Sequence, residues 1–266
     1  MKIFISADME GVNGITHWNE TEGTMPTYYN QFQQQMNAEV KMACLGAKDA
    51  KAEIIFVKDA HDTARNLIAS QLPDGIILHR GWSGAICSMM AGLDETYDAV
   101  IFIGYHSASK SIGNTLSHTM SSRLSHVKIN GELASEFLIN AYYAAYKKVP
   151  IAFLSGDRAL TETVKAINPN IETVATKDTD HGATFSPHPD TTNKQIQETV
   201  TKALKKDLSK NILSLPNSFT IEVEYRTHAE AYSKSFFPKA KLIDSNTIQF
   251  KTKDYYDALV FMKFVL

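Results

Sequence analysis

Two carboxylates stand two residues apart near the start of the chain, in Ser6-Ala7-Asp8-Met9-Glu10-Gly11. They follow Lys2-Ile3-Phe4-Ile5, an apolar run that reads as a buried first strand. In extended backbone, residues two apart point to the same side, so Asp8 and Glu10 project together and Met9 turns away. Carboxylates held this close repel, and one is driven up in pKa unless a cation sits between them. Taken alone, the pair also fits an acidic turn or a helix cap. Histidines at matching places argue for a metal. His61 follows the apolar run 53–58 within Asp59-Ala60-His61-Asp62, and His106 follows the run 98–103 within Gly104-Tyr105-His106. Carboxylate and imidazole donors together suit zinc, and also manganese, cobalt or iron. With two oxygens to offer, Asp8 is the natural bridge between two ions. Asp59 and Asp62 either orient the His61 ring or cap a following helix. His79, at the end of its own strand, is a spare candidate, whereas His17, His126, His181, His188 and His228 have no comparable placement.

The elements that must hold these residues alternate. Helical spacing over 29–50 (Phe32, Met36, Val40, Ala43, Ala47) separates the first strand from a second at 53–58. A short helix through Leu67-Ile68, a strand at 75–79, a helix at 86–93 and a strand at 98–103 follow. After a loop rich in Ser, Gly and Asn at 107–117, residues 125–129 read as a strand, closed by the turn signal Asn130-Gly131. Residues 132–148 read as a helix stopped by Pro150, then a strand at 151–154, a helix through Ala166, a strand at 171–176, a loop at 178–190 and an amphipathic helix at 191–210. In Ser155-Gly156-Asp157 the aspartate serves equally as helix cap or functional group. Strands alternating with helices predict an α/β fold, a mainly parallel sheet flanked by helices. From Phe219 the pattern changes to strict alternation, and with Ser214-Leu215-Pro216-Asn217 as boundary the expectation is a catalytic α/β domain at 1–214 and a smaller C-terminal α+β lobe at 215–266. Open α/β sheets bind ligands at the carboxyl ends of their strands, where Asp8, Glu10, His61 and His106 all fall.

Composition narrows the function. The 266 residues are 44% apolar and 21% charged, with a net charge of −2 and no long basic run, so neither nucleic acid nor a membrane is an expected partner. Cys44 and Cys87 lack metal-binding or redox spacing and read as buried free thiols. With no secretory pattern at the N-terminus, the expected location is the cytoplasm. No dinucleotide fingerprint, nucleophile elbow or Walker lysine motif is present.

On these residues the sequence resembles the D-aminopeptidase (DppA-like) family of dinuclear zinc peptidases, from its first residues to the C-terminal lobe. The most specific part is the S-x-D-x-E-G signature at Ser6 to Gly11, followed by Asp59-Ala60-His61, Gly104-Tyr105-His106 and Leu116-Ser117-His118-Thr119-Met120. Glu136, ahead of Leu138-Ile139-Asn140-Ala141-Tyr142, occupies the place of the family's last acidic ligand; Glu132 competes nearby, but the residues after Glu136 match better. The loop between His106 and His118 is slightly longer than the family pattern. The resemblance implies two Zn2+ per subunit on Asp8, Glu10, His61, His106 and Glu136, one ion on Glu10 and His61, the other on His106 and Glu136, with Asp8 shared. It implies that His118 is catalytic, as acid or base, oxyanion stabiliser or nucleophile. The implied activity is an aminopeptidase that hydrolyses short peptides with an N-terminal D-amino acid, in a ring-like homo-oligomer. The residues themselves leave open a dinuclear hydrolase of another amide or of a phosphoester, and a non-enzymatic α/β module that holds a small metabolite.

Overall fold

Alternation along the first strand, β1 (Lys2–Ala7), divides the core in two: Ile3 and Ile5 face one layer and Phe4 the other. The computed structural model describes residues 1–266. After β1 come α1 (Pro26–Asp49), β2 (Ile54–Asp59), β3 (Ile76–His79) and β4 (Ala99–Tyr105). Next are β5 (Leu124–Ile129), β6 (Glu132–Leu133), α2 (Glu136–Tyr146), β7 (Ile151–Asp157), α3 (Arg158–Ile167), β8 (Glu172–Asp180), β9 (Ala183–Phe185) and α4 (Pro189–Leu204). The chain ends with β10 (Phe219–Tyr225), α5 (His228–Lys234), β11 (Lys241–Leu242), β12 (Thr247–Thr252) and α6 (Tyr255–Val265).

The main sheet has seven strands in the order β3-β2-β1-β4-β7-β8-β9, all parallel except the β8–β9 hairpin. The chain steps outward from β1 to β3 and then returns to the other side of β1 with β4. The crevice between β1 and β4 is therefore the topological switch point, where open sheets of this kind take their ligands. One face of the sheet packs on α1 and α4 through Met36, Val40, Ala47, Ile196 and Val200. The other packs on α2, on the second sheet and on α6, through Phe102, Phe137, Val127, Ile221 and Phe261. Covering both faces is what lets β4 and β7 be buried at every position.

The second sheet, β11-β12-β10-β5-β6, is antiparallel throughout. A cut at residue 214 does not separate it, because β5 pairs with β10 in the register Ile221↔Ile129 and Val223↔Val127. Local departures from the sequence expectation have local causes. The helix expected at 86–93 is one 3-10 turn, Ser88–Met90, because Ser88 takes a left-handed φ of 43°. The short helix at Leu67-Ile68 is absent, since the Asp59 carboxylate holds the Asn66 and Leu67 N–H groups, and a 3-10 turn follows at Ala69–Gln71. The helix expected from Glu132 begins at Glu136, capped by the Ser135 hydroxyl, and Glu132 belongs to β6 instead. The stretch 178–190 is not all loop, for β8 runs on to Asp180 and turns back as β9. Cys44 and Cys87 are buried free thiols.

The turn after β1 is pressed against the end of β4. Asp8 donates its N–H to Ile103 O and Gly11 to Gly104 O, both at 2.8 Å. A Cβ on Gly11 would fall 1.8 Å from Tyr105 O, so only glycine permits this approach. Gly11→Ala should lose about 1–3 kcal/mol of stability or more, as overpacking does. Thermal and urea melts of the variant beside the parent check it; an unchanged melting temperature refutes the close-packing account.

Candidate metal centre

Six side chains from five places in the chain converge at the carboxyl ends of β1, β2 and β4. Asp8 and Glu10 leave β1 on the same side, while Met9 turns into the α1 face of the core. His61 follows β2, and His106 follows β4 directly. Glu136 is the first residue of α2, and His118 arrives on the loop between β4 and β5. Asp8, Glu10, His61, His106 and Glu136 are all buried, and His118 is partly so. Glu132 is exposed on β6, and His79 lies elsewhere with Nδ1 on Ala91 O.

Three donor triads form, each with its ligand atoms within 4.8 Å of one another: Asp8, Glu10 and His61; Asp8, His106 and Glu136; Glu10, His106 and His118. The first two share Asp8, one oxygen to each. Oδ1 lies 3.4 Å from His61 Nδ1, and Oδ2 lies 3.6 Å from His106 Nε2. Glu10 Oε2 closes the first group at 3.0 Å from His61 Nδ1, and Glu136 Oε1 closes the second at 3.5 Å from His106 Nε2. His118 Nε2 lies between Glu10 Oε1 at 3.7 Å and Glu136 Oε1 at 3.6 Å.

Backbone carbonyls set the rings. His61 Nε2 donates to Thr21 O, His106 Nδ1 to Ser107 O and His118 Nδ1 to Leu116 O, at 2.9, 3.0 and 2.9 Å. A carbonyl can only accept, so each outer nitrogen carries the proton. In the neutral rings the inner nitrogen then presents a lone pair to the carboxylates. Asp8 Oδ2, Glu10 Oε2 and His106 Nε2 are buried without a hydrogen bond. Converging lone pairs of this kind fit divalent cations of the zinc class, whose ligands are carboxylate oxygen and imidazole nitrogen.

Balanced by protons alone, the cluster shows the strain of its charges. Burial and the neighbouring Glu10 carboxylate push Asp8 up to about 8. Burial opposes charge on every other member too, but the partners win for four of them. His61 draws Glu10 well below its usual range, and His106 lowers Glu136. Glu10 and Asp8 hold His61 well above its usual value, and Glu136 lifts His106 to about 10. His118 alone among the three rings goes down, through burial and the charge of His106. It stacks on His106 with centroids 4.3 Å apart and planes at 6°, and Trp18 packs edgewise on it at 5.2 Å.

A further ring of contacts holds the acidic turn. Buried Lys177 donates to Glu10 O at 2.6 Å and Ile15 O at 2.5 Å, and Asn114 donates to Glu10 O at 3.0 Å. Asp157 caps α3 through Leu160 N–H and also anchors the His106–His118 loop, accepting from Ser107 N, Ser107 Oγ and Asn114 Nδ2. Asp59 does not touch the His61 ring; it binds Asn66, whose Nδ2 holds His61 O. A cavity of about 330 Å3 opens over the centre. Both tryptophans of the chain, Trp18 and Trp82, line it, with Trp82 Nε1 donating to Asp62 O and Lys58 Nζ 4.5 Å above its ring. Trp18, Trp82 and the Thr21 carbonyl lie outside the set that residue types and spacing pick out. The two lone tryptophans were the available signal; a backbone acceptor leaves none.

The D-aminopeptidase family model (Peptidase M55) matches residues 1–264. The D-aminopeptidase of Bacillus subtilis (strain 168) is 27% identical over 263 residues, covering 97% of this chain and 94% of that protein. Among solved structures, the Zn-dependent D-aminopeptidase DppA from Bacillus subtilis, described as a self-compartmentalizing protease, superposes with a TM-score of 0.92 at 26% identity. The match covers 98% of this chain and 95% of that one.

The shared oxygens of Asp8 generate a prediction. Asp8→Ala should lose metal from both triads, whereas His61→Ala and His106→Ala should each weaken one. Elemental analysis of the purified variants reads this directly; full metal content in Asp8→Ala would sink the bridge. Far-ultraviolet circular dichroism should change little, since the sheet has its own core.

Proposed function

The chain belongs to the D-aminopeptidase family, and we propose that it is a zinc-dependent aminopeptidase that releases N-terminal D-amino acids from short peptides. The observation that carries this reading is the pair of donor triads joined through the two oxygens of Asp8. In this reading two zinc ions would be held per subunit, one by Glu10 and His61, the other by His106 and Glu136, with Asp8 available to both. Zinc so held supplies Lewis acidity toward the scissile carbonyl and lowers the pKa of water to near 7.

The chain's own groups do the rest. Thr21, Ser107 and Leu116 carbonyls fix which nitrogen of each ring faces the substrate side. Met120 N–H holds Glu136 Oε1 at 2.7 Å, which sets the angle of that carboxylate. His118 is the proton-transfer or oxyanion group. Burial and the charge of His106 lower its pKa, its Nδ1 proton is committed to Leu116 O, and Nε2 is left to exchange a proton at the centre. Trp18, Trp82 and Met120 give apolar walls to a cavity of about 330 Å3, a size that suits a short peptide. Like the self-compartmentalizing relative, the chain is proposed to work as a homo-oligomer. Exposed Tyr232, Phe236 and Phe264 supply apolar surface for contacts between copies. No helix is long and apolar enough to cross a membrane.

Zinc-loaded protein should hydrolyse D-alanyl dipeptides with a higher kcat/KM than their L-counterparts; equal or better turnover of the L-peptides refutes the stereochemical reading. His118→Ala should keep its metal and its fold while kcat falls by a factor of about 10²–10⁴. Metal content and steady-state kinetics on the same preparation separate the roles. Loss of metal would make His118 a ligand within the triad of Glu10, His106 and His118, and near-normal kcat would leave it a packing residue.

A further inference from the structure

A second cavity, of about 150 Å3, adjoins the metal centre on the Glu136 side. It shares two walls with the first, Ser88 and Met120. Behind them it is mainly apolar, lined by Cys87, Ile139, Leu259 and Met262 from the 3-10 turn, α2 and α6. Besides the shared Ser88 it has two polar side chains on its wall: exposed Lys263, and Asn140, which is already engaged, donating Nδ2 to Tyr105 Oη at 3.0 Å and to Met89 Sδ at 3.3 Å. An apolar cavity of about 150 Å3 is large enough to hold a benzene ring.

The two shared walls have unusual backbones. Ser88 has φ of 43° and Met120 of 63°, left-handed conformations that cost free energy in residues other than glycine and that gather at ligand sites. At Met120 the strained residue is also the one whose N–H holds the Glu136 carboxylate. Its flexible thioether therefore stands between the reacting centre and the apolar cavity, and can repack to admit a side chain.

We propose that this cavity is a specificity subsite, taking a branched aliphatic or aromatic side chain of the peptide residue bound beside Glu136. The proposal rests on the aminopeptidase reading above, and gives it a substrate preference: bulky apolar residues over alanine. Either residue flanking the scissile bond can supply the side chain, so two dipeptide series separate the sources, D-Xaa-D-Ala and D-Ala-D-Xaa with Xaa as Ala, Leu or Phe.

In one series the wild-type kcat/KM should rise from alanine to leucine or phenylalanine by about 10-fold or more, the worth of a few buried methylenes. Filling the cavity with Leu259→Phe should lower that leucine-to-alanine ratio by about 10-fold, and enlarging it with Met262→Ala should shift the preference toward phenylalanine. Zinc-loaded protein titrated with D-leucine and D-alanine by calorimetry, alongside both variants, gives the same comparison without turnover. D-alanyl hydrolysis with no apolar preference in either series, or ratios that neither folded variant moves, overturns the subsite and leaves the aminopeptidase reading standing. Failure to hydrolyse any D-peptide overturns that reading instead. In that case D-leucine binding that Leu259→Phe weakens sustains the subsite, and its absence removes it.

Discussion

Everything at this centre follows from placing three carboxylates and three imidazoles within a few ångströms in a buried pocket. Asp8, Glu10 and Glu136 cannot all be ionised there without positive charge between them, because burial raises the cost of each charge and each raises the cost of the next. Protons on Asp8, His61 and His106 are one way to supply that charge. Divalent cations are the other, and they must displace those protons to bind, so metal affinity at such a site is tied to pH. The protein's task is therefore to prevent relaxation. Lys177 and Asn114 pin the Glu10 carbonyl, and Gly11 lets the turn lie on the end of β4. The carboxylates stay where they repel, which is where an ion would be held.

The three rings are divided by what they face, not by how they are tethered. Each donates one proton to a backbone carbonyl, and carbonyls from two loops do the work, Thr21 after β1 and Ser107 and Leu116 between β4 and β5. His61 and His106 face two carboxylates each at 3.0–3.6 Å, and both are raised. His118 faces Glu10 and Glu136 at 3.6–3.7 Å, yet it lies flat on His106, whose charge disfavours its own. Stacking thus sets one ring of lowered pKa apart from two of raised pKa without changing residue type. Trp18 closes the outer side of His118, and the same short segment offers Thr21 O to His61, so one turn after β1 steadies two of the three rings.

Four of the six side chains at this centre were legible from residue spacing. Asp8 and Glu10 share a side because strands alternate, and His61 and His106 meet them because parallel strands end together. Those rules act over a few residues and need only the strand pattern, which β1, β2 and β4 display as apolar runs. Glu136 and His118 obey no such rule and came from family resemblance. Glu136 depends on where α2 begins, and helical periodicity carries on through β6 without marking the Ser135 cap. His118 depends on the path of a loop held by Asp157, itself readable only as a cap. The second sheet was half visible for a related reason. Alternation revealed β10, but nothing local in the sequence announces that its partner β5 lies some ninety residues earlier, between Leu124 and Ile129.

That distant pairing gives the C-terminal segment a share in the chemistry. β10 pairs with β5, and β5 leads through β6 to Ser135 and Glu136. From the other side, Tyr255 at the start of α6 donates its hydroxyl to Ile139 O on α2 at 2.6 Å, fully buried. Phe219 and Tyr142 pack on the same tyrosine. The helix that carries Glu136 is thus clamped between the main sheet and the C-terminal elements, with the smaller apolar cavity along the seam. Any movement of α6 against α2 changes both the shape of that cavity and the seat of a carboxylate at the centre. With that cavity as the proposed subsite, a fold of this design would couple what the substrate's side chain occupies to how well the carboxylate of Glu136 is held.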